Sequence, residues 1–401
     1  MRSTLDHYVA FGAGVVTVAV VAFVLYRPRV QHSQAYQATV VPLANIMDVG
    51  FILFAPAIVL LAGFRAPLFM LGICLVAMAA GFAIAYNIRN YEPIAGQGGP
   101  ADHLEEASEW ALLGASVVNI AYYTIVLIAL ALLPFGANDP GLRSWIGAGL
   151  LVVVIVVGAS GGMDWLNRQG DRTTAFNLAA VVGIVVAFLV FNLQDLLDGR
   201  WEVGEPVEMG VDDLRKMIGL FAIVQGFEAS RYIGVRFGAE LRISTMRVAQ
   251  VVSTGVFVVF VLSLLVLFLP PTGAADGTAI LEAADEVGGA PLPWLLLLAA
   301  IGSQTSAIIG ATSSRSDMLV NRRVPRKLTF PIILVPAALM VVFVDLNVAV
   351  NLASRVFAAF FTIQASLAAF LAYRRRRWRS VAGFAGVLAA MVAILVLGLP
   401  L

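Results

Sequence analysis

The sequence predicts an all-α polytopic membrane protein of about twelve transmembrane helices. Two blocks of five run in opposite senses, with one extra helix at each end. Three observations predict it. Of 401 residues, 60% are hydrophobic and 13% charged, with mean hydropathy +0.90, more apolar surface than a soluble fold buries. Apolar stretches of about 20 residues, enough to cross ~30 Å of hydrocarbon, recur between short polar loops. Two of them carry glycine and an acid in mid-span: ANIMDVGFILFAPAIVLLAG and GLFAIVQGFEASRYIG.

The spans, in order, are 8–26, 41–62, 67–87, 110–135, 144–163, 173–194, 213–233, 247–270, 292–315, 328–345, 349–373 and 380–400. The first ends in Arg27-Pro28-Arg29 without a clear small-x-small cleavage site, so it reads as a retained anchor. Residues 1–40 hold this helix and an inner loop, 41–194 the first block, 213–373 the second, and 374–401 a basic loop and the last helix. Between spans, ILEAADEV reads as a short amphipathic helix over the outer mouth, and HLEEASEW as an interfacial helix inside.

Orientation follows from Lys and Arg. With the N-terminus outside, nineteen of the 26 fall inside: Arg27 and Arg29, Arg89, Arg168 and Arg172, four from Arg231 to Arg247, five from Arg315 to Lys327, and five from Arg374 to Arg379. Six fall outside, and Arg355 lies within a span. The expectation is a multi-pass protein of a bacterial inner (cell) membrane with both termini outside. Net charge is +1 and basic residues cluster at span ends, so nucleic acid is not an expected partner. The single cysteine, Cys74, excludes an intrachain disulfide, and His7, His32 and His103 lack metal-ligand spacing. No HExxH, GxSxG or His–Asp pattern occurs in the spans, so no enzyme and no cofactor is expected.

A spanning backbone is interrupted only where it lines a cavity or is buried in protein. The interruptions at MDVG and QGFE lie ~180 residues apart, and each opens a block of five spans. An odd number per block makes the repeat inverted, and paired interrupted helices point to a transporter's central site. At 1.5 Å per residue, Asp48 should lie ~10 Å from the inner edge of its span and Glu228 ~8 Å from the inner side. A charged carboxylate there costs ~2.5–3.5 kcal/mol. Burial and a like neighbour both disfavour the charge, so at least one of the pair is expected to bind and release a proton. Alternatively Asp48 holds a substrate amine, or merely caps amides freed at the break. Glu228 either couples or stabilises its own broken helix.

These stretches resemble the amino acid–polyamine–organocation (APC) superfamily. NIMDVG looks like the first core helix, of type N-I-M-G-S-G. QGFEASRYIG followed by AELRISTMRVAQ looks like the sixth core helix and its loop. IIGATSSRSDMLVNRRVPRK looks like the end of the eighth, with its S-S-R. The resemblance implies the LeuT-type 5+5 inverted repeat. Asp48, Val49 and Gly50 then occupy the G-S-G positions, and Gln225 and Gly226 the second break, all substrate-binding by implication. An acid at a carboxylate-binding position repels an ordinary amino acid and favours a cationic group. Phe227 would be an aromatic lid. Tyr122 or Tyr123, on the third core helix, would hydrogen-bond substrate or carboxylate. Arg355 would gate the outer vestibule or meet an anion, or else snorkel to the interface. Thr305 and Ser306 would form a sodium site, or bond within their own helix. Ser313, Ser314 and Arg315 would fix the inner loop. The proton is favoured over sodium as coupling ion.

The expected function is secondary active transport of an amino acid, amine or similar small organic cation by alternating access, proton-coupled or exchanging. The alternative is a transport-incompetent membrane sensor or scaffold that keeps the fold.

Overall fold

The computed structural model describes residues 4–48, 50–136, 139–202, 207–268 and 279–401, and all of its regular structure is helical. Helix α1 (Thr4–Leu25) leads through α2 (Pro28–Gln31) to α3 (Gln34–Ile46) and α4 (Gly50–Ala62). A 3₁₀ turn at Gly63–Arg65 joins α4 to α5 (Ala66–Asn90), followed by α6 (Pro100–Leu132), α7 (Pro140–Ala159), α8 (Met163–Leu197) and α9 (Val211–Gly219). Two 3₁₀ segments, Phe221–Val224 and Phe227–Ile233, precede α10 (Ala239–Leu264). The remainder is α11 (Ala279–Gly288), α12 (Pro291–Asn321), α13 (Arg326–Phe343), α14 (Leu346–Arg374) and α15 (Trp378–Leu397).

Among the described residues, ten helical runs are long and apolar enough to cross a membrane. Twelve were expected, and the difference has two causes. The half-helix α4 runs into α5 as one stretch, Gly50–Ile94, and the pieces of the seventh span are each too short to qualify. The twelfth and first helices lie at the edge: Val16, Val20 and Phe23 of α1 and Val396 and Leu397 of α15 are exposed, as lipid-facing side chains should be. Inside, α14 packs on α6, α12 on α8 and α6, and α10 on α5 and α3. Phe51, Phe188, Phe257 and Phe260 interlock there, with Phe51 and Phe257 centroids 4.1 Å apart.

Several helices reach further toward the basic face than hydropathy indicated. The second span begins at Gln34, so Asp48 is fourteen residues into it, ~21 Å along the axis rather than ~10 Å. HLEEASEW is not a separate interfacial helix; it forms the first turns of α6. AELRISTMRVAQ opens α10, and the Ser313–Arg315 stretch lies within α12 rather than at its end. ILEAADEV does form a short helix, α11, packed on α12, α1, α4 and α8.

These polar helix ends are held by arginine–carboxylate pairs. Arg231 and Glu105 meet at 2.8 Å, both nearly buried, and Gln364 donates to Glu105 and to Ser108 at 3.1 and 2.7 Å. Arg242 grips Glu92 with both terminal nitrogens, and Arg322 joins Glu106 and Glu109.

Two outcomes are expected. Arg231→Met should lower the thermal midpoint sharply, by a cost of about 3–5 kcal/mol, because it leaves Glu105 buried and unpaired. Adding Glu105→Gln should recover most of that loss; equal loss in single and double variants would show that the pair is not what holds this corner. Gly226 has φ +118°, and a Cβ there would stand 2.6 Å from the carbonyl carbon of Asn45. Gly226→Ala should therefore destabilise the protein in the same assay, where an unstrained Gly→Ala stabilises by about 0.4–1 kcal/mol.

Candidate functional site

Helix α3 ends where Met47 leaves the helical region (φ −88°, ψ 42°), and α4 starts at Gly50. Its first N–H groups have no carbonyl one turn back. The Asp48 carboxylate accepts the Gly50 N–H at 2.6 Å, and Tyr123 borders the same cavity as Asp48. Val49 lies outside the described residues. A methyl group on Gly50 would collide with the Tyr122 hydroxyl and with Asp48, so glycine is what lets α6 approach this break.

The second break follows the same logic. Helix α9 tightens into 3₁₀ turns at Phe221–Val224, Gln225 is extended, and Gly226 is left-handed. The Ala222 N–H donates to Ser354 Oγ of α14 at 2.8 Å, and the Gly226 N–H to Glu228 Oε2 at 2.8 Å. Each acid caps an amide that its own break releases. The breaks also touch, because Gly226 sits against the backbone of Asn45.

Between them lies a cavity of about 530 Å³. Asp48, Gln225 and Glu228 line it together. It extends toward the basic face, where Gln31, Tyr36 and Arg236 line it. Beside the second break Phe227 is fully buried and stacked on Phe361 (centroids 4.9 Å, planes 17° apart), with Phe221 edge-on to Phe361.

The other expected residues divide. Tyr123 lines the cavity and accepts from Asn119 Nδ2 at 2.8 Å. Tyr122 is packed between Gly50, Phe54 and Tyr123, away from the lining. Ser306 lines the cavity, whereas Thr305 points outward and is exposed; the neighbour that shares the lining with Ser306 is Ser303, one turn earlier. Phe227 belongs to the aromatic seal rather than the cavity wall. Arg355 is remote from the cavity and donates to the Gly398 carbonyl at 2.6 Å. Arg215 donates to Leu397 O beside it, so both arginines serve the carbonyl end of α15, where cations are favoured.

Sequence reasoning missed Asn119, Asn177, Tyr232 and the inward position of Arg315. The carbonyl oxygens of Asn119 and Asn177 are buried without a protein donor, and both residues line the cavity. The signal for the asparagines was their polarity inside apolar runs. For Arg315 it was the absence of any helix breaker before Pro325.

The chain matches a family described as APC superfamily transporter over residues 28–398. It is 26% identical over 391 residues to an uncharacterized protein of Aquifex aeolicus (strain VF5), covering 94% of this chain and 92% of that one. Among solved structures it resembles a Na+-coupled sialic acid symporter in a substrate-bound outward-open state. The TM-score is 0.50 at 14% identity, with 98% of each chain covered, a likeness of fold alone. By the family match, which spans nearly the whole chain, this protein belongs to the APC superfamily of transporters.

Proposed function

We propose that the protein is a secondary active transporter moving an amino acid, amine or similar small organic cation by alternating access. The observation that carries this reading is that two interrupted spans meet at one cavity carrying Asp48 and Glu228. The breaks fall at matching places in blocks 41–194 and 213–373, which supports an inverted five-plus-five repeat with α1 and α15 added outside it. The concentration of Lys and Arg on one face supports that face as the cytoplasmic one and both termini as external. On that assignment the structure corresponds to an inward-facing form. The cavity reaches the basic face through Gln31, Tyr36 and Arg236, which supports that reading.

Asp48 and Glu228 are the proposed coupling groups. Each accepts a backbone N–H while bordering the same cavity, so each can exchange that hydrogen bond for a substrate cation or a proton. Sodium is the weaker candidate, because Thr305 faces away from the cavity.

Thermal stabilisation across amino acids and amines, with and without sodium, selects a probe for uptake into proteoliposomes. Wild-type accumulation should follow an imposed pH gradient. In at least one of Asp48→Asn and Glu228→Gln, gradient-driven accumulation should be lost while exchange of probe across the bilayer persists. Wild-type, pH-responsive accumulation in both variants would sink the proton assignment, and absence of counterflow for any stabilising probe would favour a sensor over a carrier.

A further inference from the structure

Arg315 is buried (8% exposed) and lines the same cavity as the two acids. Several arginines near this face meet carboxylates: Arg231 meets Glu105, Arg242 meets Glu92, Arg322 meets Glu106 and Glu109, and Arg326 meets Asp317. Arg315 does not. Its Nε has no acceptor, one terminal nitrogen reaches only Ser314 Oγ at 3.0 Å, and its guanidinium lies 5.2 Å from the centre of the Tyr232 ring. The acids nearby are engaged: Glu109 holds Arg322 at 2.6 Å and Glu228 caps Gly226. The Tyr232 hydroxyl is also buried without a partner, and Tyr232 lines the cavity.

A guanidinium withdrawn from water is costly unless an anion meets it. Its planar array of donors suits a carboxylate, which can take two parallel N–H bonds. Tyr232 supplies a further donor. Asp48 and Glu228 stand at the breaks, and Arg315 on α12 borders the same space, so the cavity carries both signs of charge.

We propose that Arg315 and the Tyr232 hydroxyl form an anion-recognising subsite, so that the substrate is a zwitterion. Its cationic group faces Asp48 and Glu228, and its carboxylate faces Arg315. This rests on the carrier reading above and narrows it: a simple amine or organic cation leaves Arg315 unmet. Arg236, at the exposed end of the same cavity, adds positive potential where a carboxylate enters or leaves.

The test uses the full-length protein in nanodiscs. Binding of the twenty common L-amino acids is compared with that of their C-terminal amides, which keep the ammonium and side chain but lose the carboxylate charge. For at least one pair the acid should bind about tenfold tighter than the amide to wild type. Arg315→Gln should bring the two within about twofold, while Arg315→Lys keeps part of the preference. Amides that bind wild type as tightly as the acids would overturn the subsite and leave the carrier reading standing. So would Arg315→Gln weakening acid and amide equally, the result expected of a gate or a packing role. The comparison on wild type needs no variant to fold. Failure of every acid and amide to bind would overturn the subsite, and the carrier reading would then stand or fall on the amine panel above.

Discussion

A peptide group in hydrocarbon has no water to fall back on, and this protein breaks two spans where that matters most. Everything around the breaks answers the need to satisfy the released N–H groups. Asp48 takes the amide of Gly50, Glu228 takes that of Gly226, and Ser354 reaches across from α14 to Ala222. The acids explain the local backbone as much as the chemistry of the cavity. A carboxylate at a helix N-terminus is favoured by the exposed N–H groups and the dipole, which offsets part of the cost of placing a charge at that depth. The same hydrogen bonds leave oxygens directed at the space between the breaks.

That economy sets the geometry of the rest. The two breaks lie against each other because Gly226 has no side chain to separate it from Asn45. Helix α6 lies close to the first break because Gly50 leaves room for the Tyr122 hydroxyl. Tyr122 therefore buttresses the break while Tyr123, one residue on and turned through a helical step, lines the cavity with Asp48. Two adjacent tyrosines that are alike in composition have different duties because the helix points them differently.

What could be read in advance follows from how each feature is written in the sequence. The breaks were legible because glycine and an acid inside an apolar run contradict a continuous lipid-facing helix. The polar ends of the helices were not. Hydropathy closes a span at its first charges, yet here those charges are paired across helices: Arg231 with Glu105, Arg242 with Glu92, Arg322 with Glu109. A paired charge can be carried by a buried helix turn, so α6, α10 and α12 each extend into stretches that resemble loops. Arg315 was misplaced for this reason, since a span ending at residue 315 puts it at the headgroups, whereas α12 continues to Asn321. Thr305 failed for another reason: adjacent hydroxyls on a helix are ~100° apart, so a neighbouring pair cannot be assumed to share one wall.

The two sides of the breaks are built from different forces. Beside the second break the packing is aromatic, Phe227 stacked on Phe361 with Phe221 against its edge. Such contacts favour stacked or edge-on geometries but carry no charge to be stranded when they shift. Toward the basic face the 3₁₀ segment carrying Glu228 also carries Arg231, locked to Glu105 of α6 and through Gln364 to α14. Ion pairs of this burial depend steeply on geometry, since separating them exposes two uncompensated charges. A segment clamped by its ionic end and seated by its aromatic end has an obvious place to yield. Gly226 immediately precedes Phe227, so the aromatic contact lies between the break and the Arg231 corner.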